Sequence, residues 1–396
     1  MNNTWPAYSE KEIEKISKIL RSGKVNYWTG KECRKFEKEF AEFTGTKYAV
    51  ALANGTLALE LALKAIGIKK SDEVIVTSRT FLASVSSIIE LGAKPVFADV
   101  DKNTQNLDVT EIRKKITTKT KAIMCVHLAG WPNEMDEILK ISKEYKLKVI
   151  EDCAQAHGAI YKNKSVGGIG DIGCWSFCQD KIMTTGGEGG MVTTNNKKFW
   201  EYMWSYKDHG KSYKKMTKPA KGQGFRWVHD SFGSNYRMTE IQAAIGRNQI
   251  KQMSKWTKIR NKYQAQIWQS ASRFDALRVP NFQCLSCECQ TKMGCVHGAY
   301  KCYVFIKQEK LKSGWSREKI IREINLRNIN CFSGSCSEVY LEKAFHDSKF
   351  KPKHRLKNAK ELGDSSLMFL VHPTLSQQDI DATCNALSEV MHLAAK

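Results

Sequence analysis

Short apolar runs alternate along this chain with segments whose apolar positions recur every three or four residues. The first such segment, 9–21, sets Ser9 ahead of Glu12 and lines Ile13, Ile16 and Leu20 along one face, which predicts a capped amphipathic helix ended by Gly23. A turn through Tyr27, Trp28, Thr29 and Gly30 leads to a second helix carrying Phe36, Phe40 and Phe43. The runs 48–52, 73–77, 94–99, 123–127, 148–150 and 173–177 predict strands, with helices between them over 57–66, from Thr80 onward, and over 108–116 and 133–145. Such βα repetition predicts an α/β fold with a mostly parallel sheet flanked by helices. Thr239 caps a long helical stretch, 240–272, and Val279-Pro280 marks its edge. Beyond it a strand at 300–305, a helix at 317–327 and an amphipathic helix at 376–391 predict a smaller α+β carboxyl-terminal domain. A division into residues 1–255 and 256–396 follows, the second part beginning within the linking helix.

Composition narrows the partners. Lys and Arg outnumber Asp and Glu by 63 to 41, a formal charge of +22, which draws anions by long-range attraction. No helix-turn-helix, finger, RNA-binding signature or dense basic tail accompanies that charge, so no nucleic-acid partner is expected. A small molecule carrying a diphosphate is an equally good anionic partner, and a generally basic, solvated surface is the alternative account of most of the charge. No apolar run reaches about 18 residues and the first residues form no apolar signal core, so a cytoplasmic protein without a membrane span is expected. Thirteen cysteines scattered over a long chain then read as reduced thiols.

Candidate chemistry concentrates between residues 148 and 192. The strand at 148–150 delivers Glu151, Asp152, Gln155 and His157 to its carboxyl end, where an open α/β sheet forms its ligand crevice. Lys181 lies between two turns, ahead of the cluster Gly186, Gly187, Gly189 and Gly190 that tight backbone geometry requires. At Asn54-Gly55-Thr56 small residues open a helix, so backbone amides and a hydroxyl can approach a phosphate. His127, alone before Leu128-Ala129-Gly130, reads as a packed or hydrogen-bonded residue.

The Asp152-x-Ala154-Gln155 stretch, Ser176-Phe177 followed five residues after the serine by Lys181, the GGEGG segment at 186–190 and NYRMTEIQAA from Asn235 resemble the DegT/DnrJ/EryC1/StrS family. These are pyridoxal-phosphate-dependent sugar aminotransferases of the type I aminotransferase fold, and the resemblance spans roughly residues 5 to 385. It implies pyridoxal 5'-phosphate bound to Lys181 as a Schiff base, Asp152 paired with the pyridinium nitrogen, Gln155 near the phenolic oxygen and Phe81 stacked on the ring. It implies phosphate contacts from Gly55, Thr56 and Ser176, and from Asn235 of a neighbouring subunit, hence a homodimer with shared sites. Asn26 and Tyr27 become substrate-side candidates, with packing as the alternative; Arg237 is either structural or a holder of an anionic group. Ser335, Glu338 and Tyr340 become sugar-pocket candidates, although the family's Pro-x-His element there is not cleanly present.

The chemistry agrees with that assignment. A lysine amine must lose its proton to form a Schiff base, which desolvation or a cationic neighbour favours. A carboxylate beside the ring nitrogen keeps the ring an electron sink. The expected reaction is amino transfer from L-glutamate to a keto-sugar, nucleotide-linked, in surface-glycan or related sugar biosynthesis. A nucleotide-free acidic keto-sugar, a sugar dehydratase and a non-catalytic binding protein stand as alternatives; a histidine in place of the lysine marks the dehydratase branch, so Lys181 weighs against that one. Cys284, Cys287, Cys289, Cys295 and His297 could be read as a soft-metal cluster, but the spacing is poor for tetrahedral closure and free thiols with no metal are expected.

Overall fold

The computed structural model describes residues 4–219, 225–280, 294–346 and 348–396. Its thirteen strands in those residues are β1 (Tyr48–Leu52), β2 (Glu73–Thr77), β3 (Lys94–Ala98), β4 (Thr120–Val126), β5 (Lys148–Asp152), β6 (Ile160–Tyr161), β7 (Lys164–Ser165), β8 (Ile172–Ser176), β9 (Gly190–Thr194), β10 (Leu277–Arg278), β11 (Cys302–Ile306), β12 (Cys331–Phe332) and β13 (Ser366–Phe369). Seven of them form one sheet in the order β1-β9-β8-β5-β4-β2-β3. The pairs from β8 to β3 are parallel, and only β9 runs against the rest. This is the mostly parallel sheet expected from the βα repetition, with one strand, β9, hidden in sequence behind the glycine cluster.

The sheet is buried on both faces, and the alternation along each strand shows it. Val74 and Val76, Ala122 and Met124, and Ile150 pack on one side against the helices Gly55–Ala65 and Ala83–Glu90. Ile75, Ile123 and Cys125, and Val149 pack on the other with Ile138 and Ile141 of the helix Met135–Tyr145. Near-continuous apolar runs are what a parallel sheet covered twice requires. Each fully buried Val, Ile or Met among them contributes about 1.5–3 kcal/mol, so the sheet forms a stiff floor for whatever its strand ends carry.

Caps read from the sequence appear where expected. Ser9 and Thr239 form reciprocal capping boxes with Glu12 and Gln242. The long stretch after Thr239 is not one helix, however: Glu240–Gln249 and Met253–Ala271 are separated by a tighter turn, Ile250–Gln252. A second sheet follows, β10-β11-β13-β12, all antiparallel, covered by the helices Met253–Ala271 and Gln377–Ala394 around Ile267, Val304, Leu367 and Leu387. Its β13 and the helix Lys357–Ser365 before it were not foreseen from the sequence.

The buried Arg79 ties the two layers. Its guanidinium donates to Gln105 Oε1 at 3.0 and 3.1 Å and to Ser337 Oγ at 2.7 Å, with Tyr303 of β11 lying 5.4 Å beneath it. A buried cation thus joins elements from both sides. Among the described residues no helix is long and apolar enough to cross a membrane.

Candidate active site

A cavity of about 910 Å³ opens at the carboxyl ends of β1, β2, β4, β5 and β8, roofed by residues of the second sheet. Gly55, Thr56, Phe81, Asp152, Gln155, Ser176, Lys181 and Ser335, all singled out in the sequence, line it. They come from five separate segments, and the sheet topology is what gathers them.

Asp152 ends β5 with its carboxylate buried. Ser84 donates to Oδ2 at 2.8 Å and the Ala154 amide to Oδ1 at 3.1 Å. Ser84 and Thr80 hydroxyls lie 2.7 Å apart, and since Ser84 gives its hydrogen to Asp152, Thr80 is the donor of that second bond. Burial pushes the Asp152 carboxyl above its ordinary value, against the lowering effect of Ser84, Ala154 and the more distant Lys181 charge. Among the described residues no cation lies within ion-pair distance of it. A buried carboxylate short of a cation is fitted to receive a protonated ring nitrogen.

Lys181 Nζ donates to Tyr300 Oη at 3.4 Å, lies 5.0 Å from the centre of that ring, and sits 3.6 Å from Asp180 Oδ1. Tyr300 in turn donates to Asp180. Burial and the Asp180 charge push the Tyr300 phenol well above its ordinary range, so it keeps its proton. Asp180 is held below its ordinary value although burial opposes this, because the Lys181 charge and the Tyr300 hydrogen bond both favour the carboxylate. Beside them, burial pushes Lys301 down to about 8. None of Asp180, Tyr300, Lys301 or Ser84 was singled out in the sequence; only Asp180, adjacent to the lysine, carried a local signal.

The opposite end of the cavity suits an anion. Asn54 caps the helix Gly55–Ala65 by accepting from the Leu57 amide at 3.0 Å, leaving the Gly55 and Thr56 amides at a helix amino terminus. A Cβ on Gly55 would lie 2.6 Å from Ser176 Cβ, and one on Gly190 would lie 2.2 Å from the Asn54 carbonyl oxygen. Glycine is needed there because the ends of β1, β8 and β9 approach so closely. Ser176 Oγ accepts from the Cys178 amide at 3.3 Å and keeps its own hydrogen for a ligand. Gln155 Oε1 accepts from the Ala129 amide at 2.8 Å, which turns its amide NH₂ toward the cavity it lines. A buried acid at one end, a helix terminus with a serine at the other and an amine between them fit pyridoxal phosphate.

Other expectations land elsewhere. Tyr27 is buried, its hydroxyl 3.1 Å from Glu37 and 3.3 Å from the Trp204 indole, so in this chain it packs and does not line the cavity. Asn26 shapes the same exposed turn by accepting from the Trp28 amide at 3.1 Å. Arg237 pairs with buried Asp208, the structural one of its two readings. Glu338 and Tyr340 are corrections to the sugar-pocket reading. Both are buried, Tyr340 donates to Glu338 and accepts from the Leu356 amide at 2.8 Å, and Glu338 binds Arg355. Those partners use their polar atoms internally. Asn235 is exposed on the segment bridged to Asp208 and does not reach this chain's own cavity.

His127, Glu151 and Cys153 place ligand atoms within 4.8 Å of one another, yet hydrogen bonds occupy them. The Asn133 amide donates to His127 Nδ1 at 3.0 Å, so Nε2 carries the hydrogen it directs to Glu151 at 3.1 Å. Gly167, Ile169 and Gly170 amides fill the remaining Glu151 lone pairs at 2.9, 2.9 and 2.6 Å. His157, pushed down to about 3 by burial, is a neutral ring packed on Trp175 and Phe177. Cys284, Cys287 and Cys289 lie outside the described residues; Cys295 Sγ accepts from the Lys162 amide at 3.3 Å, and His297 is buried with Nδ1 accepting from the Ala299 amide at 2.7 Å.

Comparison with known proteins agrees with this geometry. The sequence pattern of the DegT/DnrJ/EryC1/StrS aminotransferase family matches residues 6–388. A GDP-perosamine synthase of Escherichia coli O157:H7 is 45% identical over 247 residues, 62% of this chain and 65% of that relative. A dTDP-3-amino-3,6-dideoxy-alpha-D-galactopyranose transaminase of Aneurinibacillus thermoaerophilus is 44% identical over 237 residues, 60% of this chain and 61% of the relative. Both alignments span slightly under two thirds of the relative's length. The crystal structure of an aminotransferase from Psychrobacter cryohalolentis is 53% identical, superimposes with a TM-score of 0.95, and covers 98% of each chain. The α/β architecture is thus the type I aminotransferase fold, and the chain belongs to the DegT/DnrJ/EryC1/StrS aminotransferase family, as a sugar aminotransferase whose cofactor is pyridoxal phosphate.

Proposed function

We propose that this enzyme transfers an amino group from L-glutamate to the keto group of a nucleotide-linked sugar, for a surface glycan or a related sugar product. The observation that carries the reading is the meeting of the Lys181 amine and the unpaired, buried Asp152 carboxylate on one cavity whose far end is a helix amino terminus. The names of the GDP- and dTDP-sugar relatives favour a nucleotide sugar as acceptor. The formal charge of +22 favours an anionic substrate of either kind, so an acidic keto-sugar without a nucleotide is the second reading.

When bound, the cofactor's ring supplies an electron sink for the pair left on an α-carbon that loses its proton. The protein's residues do the rest. Asp152 holds a proton on the ring nitrogen. Lys181 would take the proton from the donor's α-carbon and pass it to the cofactor, and with the keto-sugar would move a proton in the reverse sense, from the cofactor to the sugar carbon, with Tyr300 and Asp180 directing the free amine. Gly55, Thr56 and Ser176 anchor the phosphate, Phe81 and Gln155 fix the ring plane, and Ser335 faces the sugar. Phe225, Trp227 and Phe232 are exposed near Asn235, which suits a homodimer in which this segment reaches the neighbouring cavity. The proposed division places residues 1–255 around the cofactor and 256–396 over it.

The test is an absorption spectrum of the cofactor-loaded, desalted protein during titration with L-glutamate, then with GDP- and dTDP-linked 4-keto sugars. Conversion of the lysine-bound band to the amine form by glutamate, and its return on adding a keto-sugar, is expected. Lys181→Ala should lower turnover by at least about a thousand-fold. Unchanged turnover in that variant, or no spectral response to any amino donor, would sink the proposal.

A further inference from the structure

The amino-terminal segment crosses behind the turn that carries Lys181. Trp5 Nε1 donates to the Lys181 carbonyl at 2.7 Å. Its ring packs edge-on to Trp256 at 5.1 Å, stacks with His372 at 6.2 Å, and has the buried Arg260 guanidinium 5.0 Å over its face. Thr374 Oγ1 donates to the Thr4 carbonyl at 3.1 Å and lies 2.7 Å from His372 Nδ1. Because that hydroxyl has one hydrogen, His372 is the donor of the second bond. Further along, the Tyr8 hydroxyl lies close to the Thr184 side chain and the Gly186 backbone. Stretches 256–260 and 372–374 thus meet on the amino-terminal segment, which in turn holds the lysine turn.

The consequence is local. The Lys181 amide donates to the Cys178 carbonyl at 3.1 Å on one side of the residue, and Trp5 holds its carbonyl on the other. Both peptide planes flanking the Lys181 Cα are then fixed, and with them the direction in which the side chain leaves the backbone. A flexible four-carbon stem reaches a reacting atom reproducibly only from a fixed root.

We propose that Trp5 is a positioning residue for Lys181, and that residues 4–8 form a strap joining the lysine turn to the loop after β13. The proposal rests on the reading of Lys181 as the cofactor's lysine. Trp5→Phe keeps an aromatic ring and removes the indole donor. In cofactor-free full-length protein it is expected to speed hydrogen exchange of the 178–186 amides by roughly three- to ten-fold, the factor a neutral hydrogen bond carries. Exchange in 148–152 should stay unchanged, and the rate at which pyridoxal phosphate is captured on the lysine and fixed by borohydride should fall by a similar factor. Thr374→Val, which loosens the strap and leaves the indole in place, should act in the same direction by about half as much on the logarithmic scale.

Unchanged exchange at 178–186 in Trp5→Phe overturns the proposal. So does faster exchange spread evenly over the whole chain, unless Thr374→Val still gives the local effect. Lys181→Ala separates the two readings: if it still captures the cofactor irreversibly, the assignment of Lys181 fails, while the exchange result still judges the strap.

Discussion

Glu151 and Asp152 stand side by side at the carboxyl end of β5, and because side chains alternate along a strand they leave it on opposite faces. Both are fully buried carboxyls, yet Glu151 is held below its ordinary value and Asp152 above. Desolvation acts on both in the same direction; the donors differ. Glu151 receives His127 and three backbone amides, whereas Asp152 receives one hydroxyl and one amide. A buried carboxylate whose lone pairs are filled is a brace, here clamping the loop at 167–170 to the sheet. One left short of donors is a charge awaiting a partner.

Glu151→Gln should break the brace. It aims an NH₂ at groups that are themselves donors, and a loss of about 3–5 kcal/mol in unfolding free energy is expected by urea titration. The pH dependence follows from the sign of the shift. A depressed carboxyl contributes stability that is fully present above its ordinary value of 4.5 and is lost as pH falls through the folded value. The gap between the parent and Glu151→Gln should therefore narrow in acid; a gap that stays constant would mean that Glu151 is not charged in the fold.

Asp152→Asn should reverse the pattern. The raised carboxyl costs folding free energy when charged, so removing that charge should change stability by less than about 1 kcal/mol at neutral pH. Amino transfer should fall at least about a hundred-fold, because nothing then holds the proton on the ring nitrogen. Equal destabilisation by both substitutions would erase the distinction between the two acids.

Ser84→Ala is the finest of these tests. It removes one of two donors, pushes the Asp152 carboxyl further up, and should weaken cofactor binding by roughly three- to ten-fold in an equilibrium titration. If binding is unaffected, the Thr80-Ser84 pair serves packing and not the acid.

Much of the frame was legible beforehand. Strands 48–52 and 73–77, the helix caps at Ser9 and Thr239, and Gly55 at a helix start all follow from spacing within a few residues. Glu338 and Tyr340 were misread because a polar residue near a suspected loop reads the same whether it faces a ligand or Arg355. β9 was missed because its glycine start and threonine end mask a short apolar centre, Met191-Val192. Trp5, Ser84, Arg79 and Tyr300 had no local pattern at all; their partners lie tens to hundreds of residues away.

What the amino-acid sequence determined by itself is the repeat of strands and helices and the residue types clustered from Asp152 to Gly190, because periodicity and turn chemistry act over a few residues. Tertiary structure alone decided which donors each acid of the adjacent pair receives, and which phenol and indole stand against the lysine. Those choices depend on strand order and on which face each side chain takes, and both are settled only when distant strands pair and bury their two faces.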